Sequence, residues 1–314
     1  MTKPITRRTV VGTLTATAAV GALPKLHAAT PDEALTFLTI GDWGRNGDSH
    51  QRDVAVQMGK TAEAVGSRFT VSVGDNIYDS GVASVDDPLW RTSFEEIYTA
   101  PALQRPWYSI LGNHDYKGNP QAQIDYSRKS NRWMMPGRYY VVEGSRIGAP
   151  HVDMFMIDTA PMISGYRNEP EAKRKHHVMD QDPAAQIAWL DAALAKSKAP
   201  WKIVFGHHPV HTGGEHGDAQ DLNVHLKPLL EKHGVQAYIC GHDHDMQHIV
   251  RGNVHYILTG CGSAVRPVEK VEGTRFALSR SGFSLYRVGP ETMTLEFVDY
   301  MGEHVYKAEI PRHA

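Results

Sequence analysis

Five short apolar runs, each closed by glycine and then by aspartate, asparagine or histidine, constrain this chain more than any other feature. Leu35 to Ile40 leads into Gly41-Asp42-Trp43-Gly44, and Phe69 to Val73 into Gly74-Asp75-Asn76-Ile77-Tyr78. Trp107 to Leu111 leads into Gly112-Asn113-His114-Asp115, Ile203 to Phe205 into Gly206-His207-His208-Pro209, and Ala237 to Cys240 into Gly241-His242-Asp243-His244. Runs this short and apolar read as buried strands. A strand that ends this way delivers a polar group at the carboxyl edge of an open α/β sheet, where such sheets collect their ligands. Taken singly, an Asp there is a cap or turn former. Taken in series, all offering oxygen or nitrogen donors, the five read as one dinuclear metal site.

The segments between them fit helices: His50 to Val65, Pro88 to Tyr98, Ala122 to Ser130, Pro183 to Lys196 and Leu222 to His233. Ile187, Leu190 and Leu194, and then Leu222, Leu226, Leu229 and Leu230, recur at helical spacing and are expected to pack on the core. Further strands are expected at Tyr139 to Val142, Val152 to Ile157, His255 to Thr259, Phe283 to Val288, Met293 to Val298 and Val305 to Ile310, the last three antiparallel across short turns. Two mixed sheets with helices outside them give an α/β sandwich of four layers. Ile163 to Pro183 is polar and broken, with Lys173-Arg174-Lys175-His176-His177 at its centre, and reads as a solvated loop or as a flap near the site mouth.

Donor charge divides the cluster. Asp42, Asp75 and Tyr78 with one histidine make a hard, anionic set suited to a trivalent ion such as Fe(III). Asn113, His207 and a second histidine, sharing Asp75 as a bridge, suit a divalent ion. Tyr78 discriminates, because a phenol of ordinary pKa near 10 loses its proton only beside a strongly charged cation. Two ions about 3.5–4 Å apart clamp the attacking and leaving oxygens of an in-line displacement at phosphorus, and an activated water then hydrolyses the ester. A trivalent ion should keep hydroxide available in acid, so an acidic optimum is expected. His114 and His216, both in glycine-rich surroundings, are candidates for stabilising the phosphoryl oxygens or protonating the leaving alcohol. Asp115 is expected to orient an imidazole.

Thr6-Arg7-Arg8-Thr9 before an uncharged Ala/Thr/Val stretch from Val10 to Leu23 reads as a twin-arginine export signal over residues 1–29, followed by a single domain over residues 30–314. The apolar stretch is too short to span a bilayer. Removing residues 1–29 takes away Lys3, Arg7, Arg8 and Lys25 and no acid, so 33 basic and 35 acidic residues become 29 and 35, a formal charge of −6. No basic stripe suggests a nucleic-acid partner. The expected partners are small phosphorylated substrates and the twin-arginine export machinery, and the expected location is periplasmic or secreted. Cys240 and Cys261, the only cysteines, are expected to be buried free thiols.

With these residues assembled, the chain resembles the purple acid phosphatases of the small tartrate-resistant type, within the calcineurin-like metallophosphoesterases. The motifs Gly-Asp-Trp-Gly, Gly-Asp-Asn-Ile-Tyr, Gly-Asn-His-Asp, Gly-His-His-Pro-Val and Cys-Gly-His-Asp-His occur in family order from Leu35 onward. The resemblance implies a four-layer metallophosphatase sandwich and an acid phosphatase activity on phosphate monoesters. It also implies Fe(III) held by Asp42, Asp75, Tyr78 and His244, with a divalent iron, zinc or manganese held by Asp75, Asn113, His207 and His242. His114 and His216 are implied as the substrate-side histidines. Gly260-Cys261-Gly262-Ser263 and Asp245 depart from the usual family pattern, and neither is expected to touch a predicted ligand. The competing readings are a phosphodiesterase or nucleotidase on the same fold, and an exported iron-binding or redox protein.

Overall fold

A strand whose side chains alternate between two faces can feed two cores at once. Along β1 (Leu35–Ile40), Leu35 and Phe37 enter the space between two sheets, while Leu38 and Ile40 pack with Val54, Met58 and Ala62 of α1 (Gln51–Val65). The computed structural model describes residues 34–312, so the predicted export signal at residues 1–29 lies outside the described residues.

The first sheet joins β1 in parallel to β2 (Thr70–Ser72), which continues in parallel to β3 (Trp107–Ser109) and β4 (Trp133–Met134). The second sheet has a parallel centre of β6 (Val152–Met156), β7 (Trp201–Phe205), β8 (Ala237–Cys240) and β10 (Val254–Thr259). It is flanked by antiparallel β5 (Tyr140–Val142), β9 (Met246–Arg251) and β11 (Thr274–Leu278), giving the order β11-β9-β10-β8-β7-β6-β5. On the other side of β1 the first sheet is closed by antiparallel β12 (Gly282–Val288), β13 (Thr292–Asp299) and β14 (His304–Pro311), as the sequence predicts. The inner core joins Phe37, Val71 and Leu295 of one sheet to Met154, Ile203 and Ile239 of the other.

The outer layers are helical. Beside α1 lie the short α2 (Pro88–Trp90) and α3 (Pro120–Tyr126). The second sheet is covered by α6 (Pro183–Lys196), α7 (Gln220–His225) and α8 (Lys227–Lys232), whose Leu190, Leu194, Leu222 and Leu230 pack on Phe155, Val204, Tyr238 and Leu258. The expected four-layer sandwich is therefore the observed one. Asp182 caps α6 by accepting from Ala185 N, with Pro183 in the first turn where its missing N–H is harmless.

Three helical expectations need correction. The single helix over Leu222 to His233 is two helices, because Pro228 has no N–H to continue the ladder. The helix placed over Ala122 to Ser130 starts at Pro120 under an Asn119 cap and ends at Tyr126. Past Trp90 the predicted Pro88 to Tyr98 helix widens into a π turn at Arg91–Glu95. The segment from Ile163 to Pro183 is more ordered than a solvated loop: it forms α4 (Ser164–Asn168) and α5 (Pro170–Lys175) and buries His176 and Val178. Both cysteines are buried and free. Among the described residues no helix is long and apolar enough to cross a membrane.

The carboxyl ends of the two sheets meet. Gly41 N donates to Thr259 O at 3.0 Å, and Gly262 N returns a bond to Gly41 O at 3.0 Å. This junction brings the ends of β1, β2, β3, β7 and β8 to one place.

Candidate metal centre

All of the predicted ligands converge on this junction. The Tyr78 hydroxyl lies 3.0 Å from Asp42 Oδ1, 2.9 Å from Asp75 Oδ2 and 3.0 Å from His244 Nε2. His244 Nε2 is 3.4 Å from Asp42 Oδ1, which closes the group. Beside it, Asn113 Oδ1 lies 3.2 Å from His207 Nε2 and 3.0 Å from His242 Nδ1, and His207 Nε2 is 3.4 Å from Asp75 Oδ1. Asp75 thus presents Oδ2 to one group and Oδ1 to the other, as a bridging carboxylate would.

These spacings fit ions. Donors about 2.1 Å from a common cation and at right angles lie about 3.0 Å apart. A single phenolic proton, by contrast, can satisfy only one of the acceptors that face the Tyr78 oxygen. His207 Nδ1 lies 2.9 Å from Val73 O and must donate to it, so Nε2 faces the oxygens of Asn113 and Asp75 with its lone pair. Two oxygens and a lone pair around one point repel unless a cation or proton stands between them. Fixing one ring nitrogen on a carbonyl so that the other can ligate is how metal-binding histidines are usually oriented.

Electrostatics give the same picture. Burial works against ionising Asp75, yet the His207 ring holds its carboxyl well below the usual range. Against the same burial, Asp75 pushes His207 up to about 10, so without a metal a proton takes the cation's place. Burial, then the carboxylates of Asp42 and Asp75, push the Tyr78 phenol well above its ordinary value. Burial and the neighbouring His208 and His207 rings hold His242 well below the ordinary imidazole value, which keeps its lone pair free.

The backbone is shaped for this purpose. Asp42, Asp75 and His242 adopt φ of 60°, 48° and 71°, left-handed values that non-glycine residues avoid. Such conformations cluster where surrounding structure over-determines them, commonly at functional sites. Gly112 lets the next strand end approach: a Cβ on it would stand 2.2 Å from Asp75 Oδ1.

Both predicted substrate-side histidines flank the cluster. The His114 ring packs on Tyr78 with centroids 4.5 Å apart, and that of His216 packs on His242 at 4.2 Å. His114 Nδ1 lies 2.6 Å from Asp79 O and His216 Nδ1 lies 2.7 Å from Asp243 Oδ1, so each ring is anchored through Nδ1 and turns Nε2 outward.

Two expectations about supporting residues fail. Asp115 orients no imidazole; its carboxylate accepts from Gly112 N at 2.8 Å, Gln123 Nε2 at 2.7 Å and Asn76 N at 3.1 Å, fixing the loop that carries Asn113. Ser263 does touch a predicted ligand, since its hydroxyl donates to Asp42 O at 2.6 Å and accepts from Arg45 Nε at 3.0 Å. Asp245 accepts from Gln247 Nε2 at 2.8 Å. The imidazole-orienting role belongs to Asp243, which sequence reasoning passed over. Buried between Thr212 Oγ1 at 2.5 Å and the His216 ring, it is held below the usual carboxylate range by His216 despite the cost of burial. Its place between two predicted ligands in Gly-His-Asp-His was the available signal. His208 also stands at the cluster, with Nδ1 2.8 Å from Thr159 Oγ1 and Nε2 3.1 Å from the Tyr166 hydroxyl of α4.

The profile of the family described as calcineurin-like phosphoesterase matches residues 35–246. Purple acid phosphatase 3 of Arabidopsis thaliana is 39% identical over 295 residues, 88% of this chain and 78% of that protein. Tartrate-resistant acid phosphatase type 5 of Oryctolagus cuniculus is 36% identical over 315 residues, 93% of this chain and 95% of that protein. Among solved structures, the Plasmodium protein described as GAP50, the anchor in the inner membrane complex, superposes with a TM-score of 0.77 at 24% identity, covering 90% of each chain. The strand-end motifs, the two-sheet architecture and these likenesses place the chain in the calcineurin-like phosphoesterase family, among the purple and tartrate-resistant acid phosphatases.

Proposed function

We propose that this protein is an acid phosphatase that hydrolyses phosphate monoesters at a centre of Fe(III) and a divalent iron, zinc or manganese. Asp42, Asp75, Tyr78 and His244 would hold the ferric ion, and Asp75, Asn113, His207 and His242 the divalent one. The observation that carries the reading is the Tyr78 oxygen, set within 3.0 Å of two carboxylates and an imidazole. So buried and so surrounded by negative charge, the phenol resists ionisation, and a phenolate there requires a cation of high charge.

When bound, the ion pair supplies an activated water and neutralises the phosphoryl oxygens. The chain's own residues do the rest. His216, braced by Asp243 through Nδ1, turns Nε2 toward the leaving oxygen and would deliver a proton from it once that nitrogen is protonated in place of its contact with Arg266. His114 directs its Nε2 at the phosphoryl group from the Tyr78 side. Asp115 and Asn76 keep the Asn113 loop from relaxing. An acidic optimum is expected because a trivalent ion would keep an activated water available in acid. The export motif at residues 6–9 supports synthesis as a precursor with a cleaved twin-arginine signal over residues 1–29 and release to the periplasm or beyond.

The test is metal analysis and a visible spectrum of the purified protein, alongside turnover of a phosphate monoester and a diester from pH 4 to 9. Iron with a tyrosinate charge-transfer band that Tyr78→Phe abolishes, and faster monoester turnover in acid, are expected. A colourless, active protein loaded only with divalent metal would overturn the ferric assignment. Faster diester turnover would overturn the monoester preference.

A further inference from the structure

The ring of Tyr78 carries a cation that the chemistry above does not use. The guanidinium carbon of Arg45 lies 3.6 Å from the ring centroid, close contact for a cation over an aromatic face. The backbone sets this placement. Gly44 N donates to Asn76 O at 3.1 Å and Tyr78 N donates to Gly44 O at 2.8 Å, so the residue that follows Gly44 is brought alongside Tyr78. A side chain at Gly44 would close the approach, because its Cβ would stand 2.2 Å from Asn76 O.

Arg45 is held at both ends. Its backbone N–H donates to Gln51 Oε1 at 2.9 Å, and its Nε donates to Ser263 Oγ at 3.0 Å. The same hydroxyl donates to Asp42 O at 2.6 Å, so one serine fixes a predicted ligand and the cation together. Ser263 belongs to the stretch that departs from the usual family pattern. The one carboxylate paired with Arg45 is that of Asp79, 3.8 Å away, and it is 90% exposed against 22% for the arginine side chain. So long a contact to a solvated partner neutralises little of the charge. The guanidinium therefore acts mainly on the ring beneath it.

A phenolate spreads its negative charge over the ring, and a cation on the ring face stabilises those electrons. Donation from the oxygen to a bound ion weakens in consequence. We propose that Arg45 is a positioning residue that acts through Tyr78, drawing electron density off the phenolate so that a ferric ion held among three anionic donors keeps its Lewis acidity. The proposal rests on the ferric reading above.

The metal-loaded wild type, R45Q, R45M and R45K should be compared by visible spectroscopy and by mediated redox titration, with iron content and a thermal melt to show that each is folded and loaded. Losing the cation raises the energy of the donor electrons, so the charge-transfer band of R45Q should move to longer wavelength by roughly 10–20 nm. The ratio of ferric to ferrous iron at a fixed potential should rise about tenfold, a midpoint lower by about 59 mV for one electron. R45M, uncharged and close in volume, should shift as R45Q does and carries the test should R45Q lose its iron. R45K keeps the charge without the flat fork that reaches Ser263, and should shift in the same direction by less. An unmoved band and midpoint in the uncharged variants would mean that Arg45 only packs on the ring, and would overturn the proposal alone. An R45K shift as large as that of R45Q would overturn it too, since charge would then not be the cause. A wild type without the band would overturn the ferric reading and the proposal with it.

Discussion

Gly112→Ala tests the bridging role of Asp75 with a single methyl group. Gly112 has no left-handed φ, so alanine is permitted by its backbone and the effect comes from the added atom. That Cβ would lie 2.2 Å from Asp75 Oδ1, 2.3 Å from Asp75 N and 2.8 Å from His207 Cε1. Carbon and oxygen that are not bonded keep apart by about 3.2 Å, so the carboxylate must withdraw by about 1 Å. Metal–ligand distances tolerate only about 0.2 Å of error. Misplacement by about 1 Å costs a reaction about a hundredfold, equivalent to about 2.7 kcal/mol at 1.36 per decade. The assay is metal content per folded chain by plasma emission, with kcat on a phosphate monoester and a thermal melt. Gly137→Ala, whose Cβ would meet only Tyr139 O at 3.7 Å, is the control. Loss of at least one ion and of about a hundredfold in kcat is expected for Gly112→Ala and not for the control. Full metal content with kcat within threefold of wild type would refute the argument that Asp75 bridges.

Asp243→Asn should lower kcat about 10–100-fold by releasing the His216 ring, and His216→Asn in that background should cost no more than about threefold further, because the two act as one unit. Additive losses in steady-state kinetics would show that Asp243 acts elsewhere. Burial, then the charges of His255 and Arg275, hold His248 down at about 3, with Nε2 2.8 Å from His255 Nδ1 and Nδ1 2.9 Å from the Tyr306 hydroxyl. The unfolded chain protonates His248 near 6.5 and the folded chain does not, so stability falls as pH drops from about 6.5 toward 3. Between pH 6.5 and 4.5 this amounts to about 2.3 kcal/mol, which urea unfolding of wild type against His248→Gln should resolve as curves that converge in acid; parallel curves would show that His248 is not the origin.

The strand ends were legible because sequence and geometry coincide there: an apolar run, a glycine, then a donor. Asp42, Asp75, Asn113, His207 and His242 follow that rule, and the structure gathers them as the motif order implies. What stayed illegible has a common cause. β9 carries Gln247 and His248 at fully buried positions, where polar residues are uncommon, so its sequence reads as a loop. β4 and β11 are short edge strands with little apolar pattern. Asp115 and Asp243 look alike in sequence, each a carboxylate beside a candidate ligand, yet one braces a loop and the other an imidazole. Only the tertiary fold decides which partner a short side chain can reach.

The same tertiary constraint explains why the cluster is held by strained and buried groups at all. Three predicted ligand residues at left-handed φ, each costing on the order of 1–3 kcal/mol, are sustained by bonds from outside the cluster. Ser263 and Gly74 hold the main chain of Asp42, and Asp115 holds Asn76 beside Asp75. The junction bonds between Gly41, Thr259 and Gly262 tie the two sheets at that point, so relaxing one ligand requires separating the sheet ends that carry the others. Carboxylates buried side by side destabilise the empty chain, and cations that bind only the folded state recover that free energy. Geometry that is costly for the chain alone would thereby be favourable for a loaded protein, while the bonds of the fold hold Asp42, Asp75 and His242 in place for it.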